Sequence, residues 1–596
     1  MCGIAGVLTA HPGPVAGGPR LNAMLAAVSH RGPDDRGTWQ SPLGHAAFAH
    51  ARLSIIDPSP AGHQPMAIAD GRFTITYNGE IYNFAELRAS LMRAGVAFRS
   101  NSDTEVILRL YEADGPNLVH RLRGMFALAI WDEKERTCFL ARDPFGVKPL
   151  YYHEAGGVLT FASEVRALVA AGVPPTVDAT AAYRYFRSGS VPEPLTLIRG
   201  VRALEAGHYA TWRDRRLSLH RYWDVHFPGE PDAADPVALA RQALLDSVAR
   251  HFVSDVPVGV FLSGGMDSTA LVALARAQQP GELRTFSLTF PGSPLDEGAE
   301  ARRTARHFNT THCEWPVDGA AAAPLFDQFL AAADQPSIDG FNTFLVARLA
   351  RGHDTKVVLS GVGGDELFGG YPSFHRVPRL VRLGRLAQLG GPVSAAALGV
   401  ARALGNSRIA RFEDLIASPI TLDTAYAAFR GLYTRNEARL LTAHYVGEGD
   451  TIADEPSAAA AEATAEDTVS RLELTRYMRN QLLRDGDVMS MASGVEVRVP
   501  FVDRALFEAL SRLPARQRLQ PTKALLRQAV PEVPEWVANR PKRGFALPFA
   551  QWLAHDWAAD LSKISPPAAI RMDTWYRKLA VLAFERWQQR LRPQHG

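Results

Sequence analysis

The stretch of sequence that decides the fold runs VPVGVFLSGGMDSTALVAL at residues 256–274. Its apolar part, GVFLSG (259–264), has the composition of a buried strand, and TALVALARAQ (269–278) has the spacing of a helix. Between them, two glycines expose backbone amides and two serines supply hydroxyl groups, while the helix N-terminus adds positive potential. A strand, a glycine-rich turn and a helix in this order predict a pyrophosphate-binding loop that needs no lysine.

The chain on both sides of this loop alternates between helices and strands. We expect helices at ALARQALLDSVARHFV (238–253) and EGAEARRTARHF (297–308), and strands at LRTFSLTF (283–290) and TKVVLSG (355–361). Alternation of this kind predicts an α/β domain with a doubly wound parallel sheet. The remainder of the chain is mostly helical in pattern, with an Ala/Glu-rich interval of low complexity at 447–467.

The first 225 residues have a different pattern, of short β-rich runs separated by glycine and proline. Strands are expected at 71–83, 125–132 and 157–164, and helices at 83–95 and 104–115. This mixture predicts an α+β sandwich.

A segment rich in Pro, Gly and Asp, HFPGEPDAADP, separates the two patterns at residues 226–236. A chain of 596 residues also exceeds what one hydrophobic core usually supports. We therefore predict a first domain at 1–225, a linker at 226–237 and a second domain at 238–596.

Composition narrows the function classes. Lys plus Arg number 65 against 62 Asp plus Glu, so no basic excess points to nucleic acid, and small-molecule substrates are expected. Three scattered cysteines, Cys2, Cys138 and Cys313, predict neither a disulfide framework nor a zinc site. No stretch has the apolar length of a membrane span or the pattern of a signal peptide, so we expect a cytoplasmic protein without a membrane partner.

Cys2 directly follows the initiator methionine. Removal of that methionine would leave one residue with both a thiol and a free α-amine. Because an α-amine titrates near pH 8 and a thiol near 8.5, the amine can take the thiol proton at little cost. Cys2 is therefore a candidate nucleophile that carries its own base.

Further segments accompany Cys2 in order: RGPDD (31–35), ARLSIID (51–57), YNGEIYN (77–83), SDTE (102–105) and ARDPFGVKPLYY (141–152). Over nearly all of the first 225 residues they resemble the class II glutaminase domain of the asparagine synthetases. The resemblance implies an N-terminal-nucleophile (Ntn) fold, an αββα sandwich.

The resemblance also implies a role for each motif residue. Cys2 would attack glutamine, and Asn78 with the Gly79 amide would form the oxyanion hole. The glutamine pocket would consist of Arg52 for the α-carboxylate, Glu80 and Asp103 for the α-ammonium, and Leu53, Ser54, Ile55, Ile56, Asn78 and Gly79. The chemistry agrees, because an Arg fork matches a carboxylate and a glycine lets a backbone amide approach a developing oxyanion.

In the second half, SGGMDS is the signature of N-type ATP pyrophosphatases, and VVLSGVGGDELFGGYPSF (357–374) resembles the second signature of the asparagine synthetases. The cofactors implied are ATP and Mg²⁺. The implied nucleotide-binding residues are Leu262, Ser263, Gly264, Gly265, Asp267, Ser268, Leu288, Ser360, Gly361 and Lys523. Asp267 and Asp365 would hold Mg²⁺. Leu262 and Leu288 would flank the adenine, although a packing role as core leucines explains them nearly as well.

Two later segments resemble the family as well. In RPKRGFALPFAQWL (540–553), Lys542 would stabilise charge on the α-phosphate. Lys523, in PTKALLRQAV (521–530), either contacts the nucleotide or is a surface charge. Glu496 and Arg498 could shape the pocket, but a structural ion pair is the better interpretation.

Together the two halves imply one reaction. Cys2 releases ammonia from glutamine, the second domain adenylates a carboxylate, and ammonia displaces AMP. Aspartate is the acceptor that the resemblance favours, and a homodimer is the assembly it suggests. Because ammonium is no nucleophile, ammonia should travel between the sites through a dry passage.

One position departs from the family pattern. Many members have an acid after the Ser-Gly of the second signature, where this chain has Val362. Another group must then take the proton of the incoming ammonia, or a different carboxylate is amidated, in secondary metabolism or surface polymer synthesis. Two other readings stay open: a glutaminase with a regulatory second domain, and a relative of β-lactam synthetases, against which the intact Cys2 motifs count.

Overall fold

The protein is described from a computed structural model. It covers residues 2–11, 18–229, 231, 233–389, 407–447, 452, 462–540, 547–555, 557 and 564–591. Lys542 and most of the Ala/Glu-rich interval lie outside these residues.

Two six-stranded antiparallel sheets form the first half. Their strands are β1 (Gly3–Thr9), β2 (Asp35–Gln40), β3 (Ala46–Arg52), β4 (Met66–Ile68), β5 (Phe73–Ile81), β6 (Gly124–Asp132), β7 (Thr137–Arg142), β8 (Tyr151–Ala155), β9 (Val158–Ala162), β10 (Val201–Ala203), β11 (His208–Arg213) and β12 (Arg216–Arg221). One sheet has the order β10-β8-β9-β1-β3-β2 and the other β12-β11-β7-β6-β5-β4. The nucleophile strand β1 is thus central in its sheet.

The sheets pack face to face with helices on both outer sides. The helices are α1 (Pro19–Val28), α2 (Phe84–Arg93), α3 (Asp103–Asp114), α4 (Val165–Ala170) and α5 (Ala179–Ser188). Because side chains alternate along a strand, Ile4 and Leu8 of β1 pack between the sheets, while Ala5 and Val7 pack beneath helices. This arrangement confirms the αββα sandwich.

A five-stranded parallel sheet lies at the centre of the second half. Its strands are β13 (Val258–Phe261), β14 (Arg284–Thr289), β15 (Thr311–Pro316), β16 (Val357–Leu359) and β17 (Glu496–Arg498), in the order β15-β14-β13-β16-β17. The chain starts at β13, builds outward to β15, and returns to place β16 on the other side of β13. Ligands of doubly wound sheets bind at such a reversal point, beyond the carboxyl ends of the strands.

Helices cover this sheet and form the C-terminal part, as expected. They are α6 (Pro236–His251), α7 (Met266–Gln278), α8 (Gly298–His307), α9 (Gly319–Ala332), α10 (Phe341–Gly352), α11 (Gly364–Phe368), α12 (Ser373–Leu389), α13 (Ser407–Ile416), α14 (Leu422–Arg430), α15 (Arg435–Val446), α16 (Ala465–Leu472), a π-helix (Glu473–Leu483), α17 (Arg484–Met491), α18 (Arg504–Ser511), α19 (Ala515–Arg518), α20 (Ala524–Ala529), α21 (Glu535–Ala538), α22 (Phe549–Ala554) and α23 (Trp575–Leu591). Within the described residues, no helix has the length and hydropathy to cross a membrane.

Two helix starts differ from the sequence expectation. Helix α6 begins at Pro236, two residues early, because the Asp235 side chain accepts a hydrogen bond from the Ala238 amide and proline suits a first turn. Helix α7 begins at Met266, inside the SGGMDS motif, so that Asp267 lies in its first turn. The pyrophosphate loop is therefore shorter than the sequence pattern indicates.

Candidate active sites

Cys2 is buried at the start of β1, with 7% of its surface exposed. Its nitrogen, which becomes the α-amine when Met1 is removed, donates a hydrogen bond of 2.9 Å to Asn78 Oδ1. Burial raises the pKa of the Cys2 thiol, and a hydrogen bond from the Leu53 amide with the charge of Arg52 only partly offsets it. The thiol is thus protonated at rest and needs a base at the moment of attack.

Asn78 lies fully buried on β5, facing Cys2. Since its Oδ1 accepts from Cys2, its Nδ2 is the free donor, and this buried atom has no hydrogen-bond partner among the described residues. An unpartnered buried donor is costly unless a ligand uses it. Gly79 follows, where a Cβ would collide with the Met125 carbonyl of the neighbouring strand. Close strand packing therefore requires glycine at 79, independently of the expected oxyanion contact.

Arg52 ends β3 next to the nucleophile. Its guanidinium donates to the carbonyls of Ser59 at 3.2 Å, Ile56 at 3.3 Å and Asp57 at 2.5 Å. A Cβ at Gly62 would collide with this guanidinium, so glycine is required beside it. The loop after β3 thus fixes the direction of Arg52, the predicted partner of the glutamine α-carboxylate.

The predicted ammonium ligands, Glu80 and Asp103, are both buried. Asp103 accepts hydrogen bonds from the Tyr77 hydroxyl at 3.0 Å and the Ile81 amide at 3.1 Å, and burial raises its pKa to about 6. Burial, reinforced by the Glu496 carboxylate, raises the pKa of Glu80 well above its usual range. Both acids therefore lie where a cationic ligand would stabilise their charged forms.

Leu53, Ile55 and Ile56, expected in the glutamine pocket, pack their side chains in one apolar cluster with Val357 of β16 and Met491 of α17. This cluster joins the two halves of the chain. Ser54 donates its amide to Asp34 Oδ2 at 2.8 Å. The segment therefore has a second use, as a domain contact, which its apolar composition alone could not separate from ligand binding.

Arg31 is a residue whose position the sequence did not reveal. Its Nε donates to the Cys2 carbonyl at 3.0 Å, and its other nitrogens reach Glu164 at 2.9 Å and Asp487 at 2.7 Å. All three charged groups are buried. Asp487 belongs to α17, so one ion network ties the nucleophile backbone to the second half. The RGPDD motif at residues 31–35, which begins with Arg31, was the sequence signal that could have identified this residue.

The SGGMDS loop follows β13 as predicted. Ser263 and Ser268 hydroxyls lie 3.0 Å apart, and Ser268 Oγ also accepts from the Ser263 amide at 3.2 Å. Gly264 has a φ of +76°, which favours glycine, and a Cβ there would press on α8. These contacts shape a loop of hydroxyls and amides at the N-terminus of α7, together with Gly265.

The second signature packs directly on the first. A Cβ at Gly361 would press against Asp267 and the Ser268 amide, and a Cβ at Gly364 would collide with the Asp267 carboxylate. The Ser360 amide donates to the Arg498 carbonyl at 2.8 Å. The ends of β13 and β16 thus bring the predicted nucleotide and metal residues to one edge of the sheet.

Lys523 lies between the two predicted metal ligands. Its Nζ is 2.5 and 2.6 Å from the Asp267 oxygens and forms an ion pair with Asp365 as well. Burial opposes its charge, but the two carboxylates outweigh this and raise the pKa of Lys523. Lys523 is thus buried between the two carboxylates, with 5% of its surface exposed. The alternative that it is a surface charge is therefore wrong.

Two further expectations concern the nucleotide. Leu262 and Leu288 are 2% and 5% exposed and belong to the main apolar core. They lie at the ends of β13 and β14, so their packing role is evident and their adenine contact stays a prediction. Lys542 lies outside the described residues.

Glu496 and Arg498 form a fully buried ion pair of 2.6 Å, as the structural interpretation expected. Arg498 also lies 3.6 Å from Glu80 in the predicted glutamine pocket. The pair therefore connects the two sites through β17, which its sequence context did not reveal.

A cavity of about 80 Å³ adjoins Ser360 and Val362. Lys148, Asp485 and Asp487 also line it, so it lies where the two halves meet. Asp485 accepts from the Ser337 hydroxyl, and burial raises the pKa of Asp485 to about 7. A carboxyl group is thus present in the cavity wall despite the valine at 362.

Comparison with known proteins gives two family matches. The family described as a glutamine amidotransferase domain matches residues 1–223, and the family described as asparagine synthase matches residues 239–594. Among relatives, asparagine synthetase [glutamine-hydrolyzing] 1 of Bacillus subtilis is 34% identical over 569 residues, covering 93% of this chain and 88% of its own.

Two other relatives cover the same extent. A putative asparagine synthetase [glutamine-hydrolyzing] of Mycobacterium tuberculosis is 36% identical, over 93% of this chain and 88% of its own. Amidase chry2 of Gibberella zeae is 28% identical, over 93% of this chain and 90% of its own. Similarity over most of the chain thus extends to a relative named as an amidase.

Proposed function

Because the chain belongs to the family of glutamine-hydrolysing asparagine synthetases and is a carbon–nitrogen ligase of that type, we propose that it transfers the amide nitrogen of glutamine to an AMP-activated carboxylate, with aspartate as the acceptor. The observation that carries the proposal is the Asn78 carboxamide, which accepts from the Cys2 nitrogen and keeps a buried donor without a partner among the described residues.

In the first step the Cys2 α-amine takes the thiol proton and Sγ attacks the glutamine side-chain carbonyl. Asn78 Nδ2 and the Gly79 amide stabilise the oxyanion, an effect worth about 2.7–4 kcal/mol per donor. The carbon–nitrogen bond breaks, the ammonium group of Cys2 returns a proton, and ammonia leaves a thioester. Water then releases glutamate. Arg52, Glu80 and Asp103 hold the substrate's α-carboxylate and α-ammonium.

In the second half, the serines and amides of the SGGMDS loop hold the ATP phosphates, with Ser360, Gly361 and Lys523 beside them. The acceptor carboxylate attacks the α-phosphorus and pyrophosphate leaves, giving an acyl adenylate. Two converging carboxylates fit Mg²⁺, which typically takes one or two carboxylates with substrate phosphates. Asp267 and Asp365 would hold Mg²⁺. In this structure the Lys523 ammonium group forms ion pairs with both carboxylates. When bound, Mg²⁺ supplies charge neutralisation of the phosphates.

We further propose that Asp485 accepts the proton from the attacking ammonia, since Val362 has no group that can do so. Ammonia attacks the acyl carbon, AMP leaves, and the extra proton on nitrogen passes to the Asp485 carboxylate. The shared cavity wall of Asp485, Ser360 and Val362 supports this assignment. That cavity, at the domain contact, also supports a dry ammonia path from the Cys2 side.

Four wider expectations from the sequence remain proposals. They are a boundary near residues 226–237, a cytoplasmic location, a homodimer, and the absence of a nucleic-acid partner. The break between β12 and α6 supports the boundary.

The test is to incubate the protein with glutamine, Mg²⁺, ATP and aspartate, and to measure glutamate, AMP, pyrophosphate and asparagine. Equal amounts of the four are expected. Formation of glutamate without AMP, whichever carboxylate is supplied, would favour a glutaminase with a regulatory second domain. Formation of AMP only with a carboxylate other than aspartate would change the proposed acceptor and leave the rest of the proposal intact.

A further inference from the structure

A large cavity of about 1280 Å³ lies apart from Cys2 and the SGGMDS loop. Helices α5, α12 and α14, the π-helix and the segment around Phe549 contribute to its wall. Drug-sized ligands occupy pockets of roughly 300–1,000 Å³. The cavity thus exceeds by far what free aspartate needs.

Positive charge dominates its wall. Nine arginines line the cavity against four acidic residues, an excess larger than the net charge of +3 of the whole chain. Some arginines are paired: Arg430 with Glu473 at 2.7 Å, Arg476 with Asp423 at 2.8 Å, and Arg479 with Glu193 at 3.2 Å. Their guanidinium groups are therefore held in place by packing and ion pairs.

Arg376 and Arg379 are different. They lie three residues apart on α12, so they share one face of that helix, and both are exposed. Neither forms an ion pair with any residue in the described ranges. Their charges are thus available to a ligand in the cavity.

The cavity leads to the nucleotide site. Asp339 and Asn342 line both this cavity and the small one beside Ser360 and Val362. A long molecule lying in the large cavity can therefore extend one end toward the adenylation site. Each guanidinium can bind a carboxylate or a phosphate with two hydrogen bonds. Of these two groups, only a carboxylate can be the acceptor of the proposed amidation.

We propose that the large cavity binds a second acceptor besides free aspartate, an extended molecule with several carboxylates, of which one reaches the small cavity and is amidated. The inference rests on the proposed amidotransferase function and adds an oligomeric acid to aspartate as an acceptor. An acidic peptide carries such carboxylates on the same amino-acid scaffold as aspartate, and an acidic oligosaccharide is the alternative that the test separates.

Binding is tested with two fluorescent probes, a short oligo-glutamate and an oligogalacturonate, by anisotropy with the full-length protein. We expect oligo-glutamate to bind at least about tenfold more tightly than free aspartate, whose affinity is measured by competition for the same site. Its binding should weaken at high salt. Tighter binding of the oligogalacturonate would assign the cavity to an oligosaccharide instead. The Arg376→Glu/Arg379→Glu double variant should weaken binding about tenfold or more. Arg382→Glu/Arg385→Glu, on the same helix but outside the cavity wall, is the control.

The same variants are assayed for glutaminase activity and for AMP formation with each acid. The Arg376/Arg379 variant should lose AMP formation with the oligomer and keep glutaminase activity. Tight probe binding without AMP from any acid would support the cavity site and count against the synthetase function. Amidation of aspartate with no probe binding, or equal loss in both double variants, would overturn the proposal.

Discussion

Arg498 Nη2 lies 3.6 Å from Glu80 Oε2, although the two residues belong to different halves of the chain. The carbonyl of the same Arg498 accepts a hydrogen bond from Ser360 in the second nucleotide signature. One residue therefore contacts both the predicted glutamine pocket and the predicted nucleotide loop. The halves are joined at their functional residues as well as by apolar packing.

We predict that Arg498→Met destabilises the protein by about 3–5 kcal/mol, because it leaves Glu496 and Glu80 buried without their cation. The glutamine KM should rise as well. Chemical unfolding and glutaminase assays measure the two effects. Arg221→Met removes an exposed ion pair with Asp224 and is the control, expected to change little. Equal stability of the two variants would contradict the role of Arg498.

A second prediction concerns Lys523. Lys523→Met should reduce pyrophosphate release about 100-fold to 1,000-fold, because it removes a buried cation from the site of charge development, and it should leave glutaminase activity intact. The exposed Lys134→Met is the control. Undiminished AMP formation by Lys523→Met would show that the lysine only neutralises Asp267 and Asp365.

The sequence could predict which motif residues lie at the strand ends, but not the contacts between residues that are distant in sequence. Strand periodicity and glycine-rich turns put Ser263 and Ser360 at neighbouring strand ends, because parallel strands present their carboxyl ends at one edge. The position of Lys523 against Asp267 depends on packing between residues 256 apart in sequence, which no local pattern encodes. For the same reason the sequence cannot tell whether Leu53 contacts the ligand or packs against the second half of the chain.

Glutamine binding should depend on pH through Asp103. Its pKa is raised to about 6, so the carboxyl is neutral below that pH and loses its attraction for the α-ammonium. The glutamine Kd should then rise about tenfold per pH unit below 6. Calorimetry on a Cys2→Ala variant measures it without turnover. Asp103→Asn should bind glutamine weakly and with a shallower pH dependence, because only Glu80 then titrates beside the α-ammonium. An unchanged slope in that variant would assign the effect to another group.

Asp485 gives a separate pH dependence to amide formation. With a pKa of about 7, its carboxyl is protonated at lower pH and cannot accept a proton. Asp485→Asn should slow amide formation about 100-fold, with acyl-adenylate formation retained. Hydroxylamine as nitrogen donor separates this effect from protonation of ammonia, since it stays unprotonated near neutral pH. Asp114→Asn, at an exposed ion pair, is the control.

The central claim is that a thiol in one domain releases ammonia for an ATP-driven amidation in the other. Cys2→Ala tests it most directly, with amide and AMP measured for both nitrogen donors. The account predicts that glutamine-dependent amidation is abolished and that amidation with added ammonium salt continues near the wild-type rate. Loss of both activities in a folded variant, or continued use of glutamine, would contradict it.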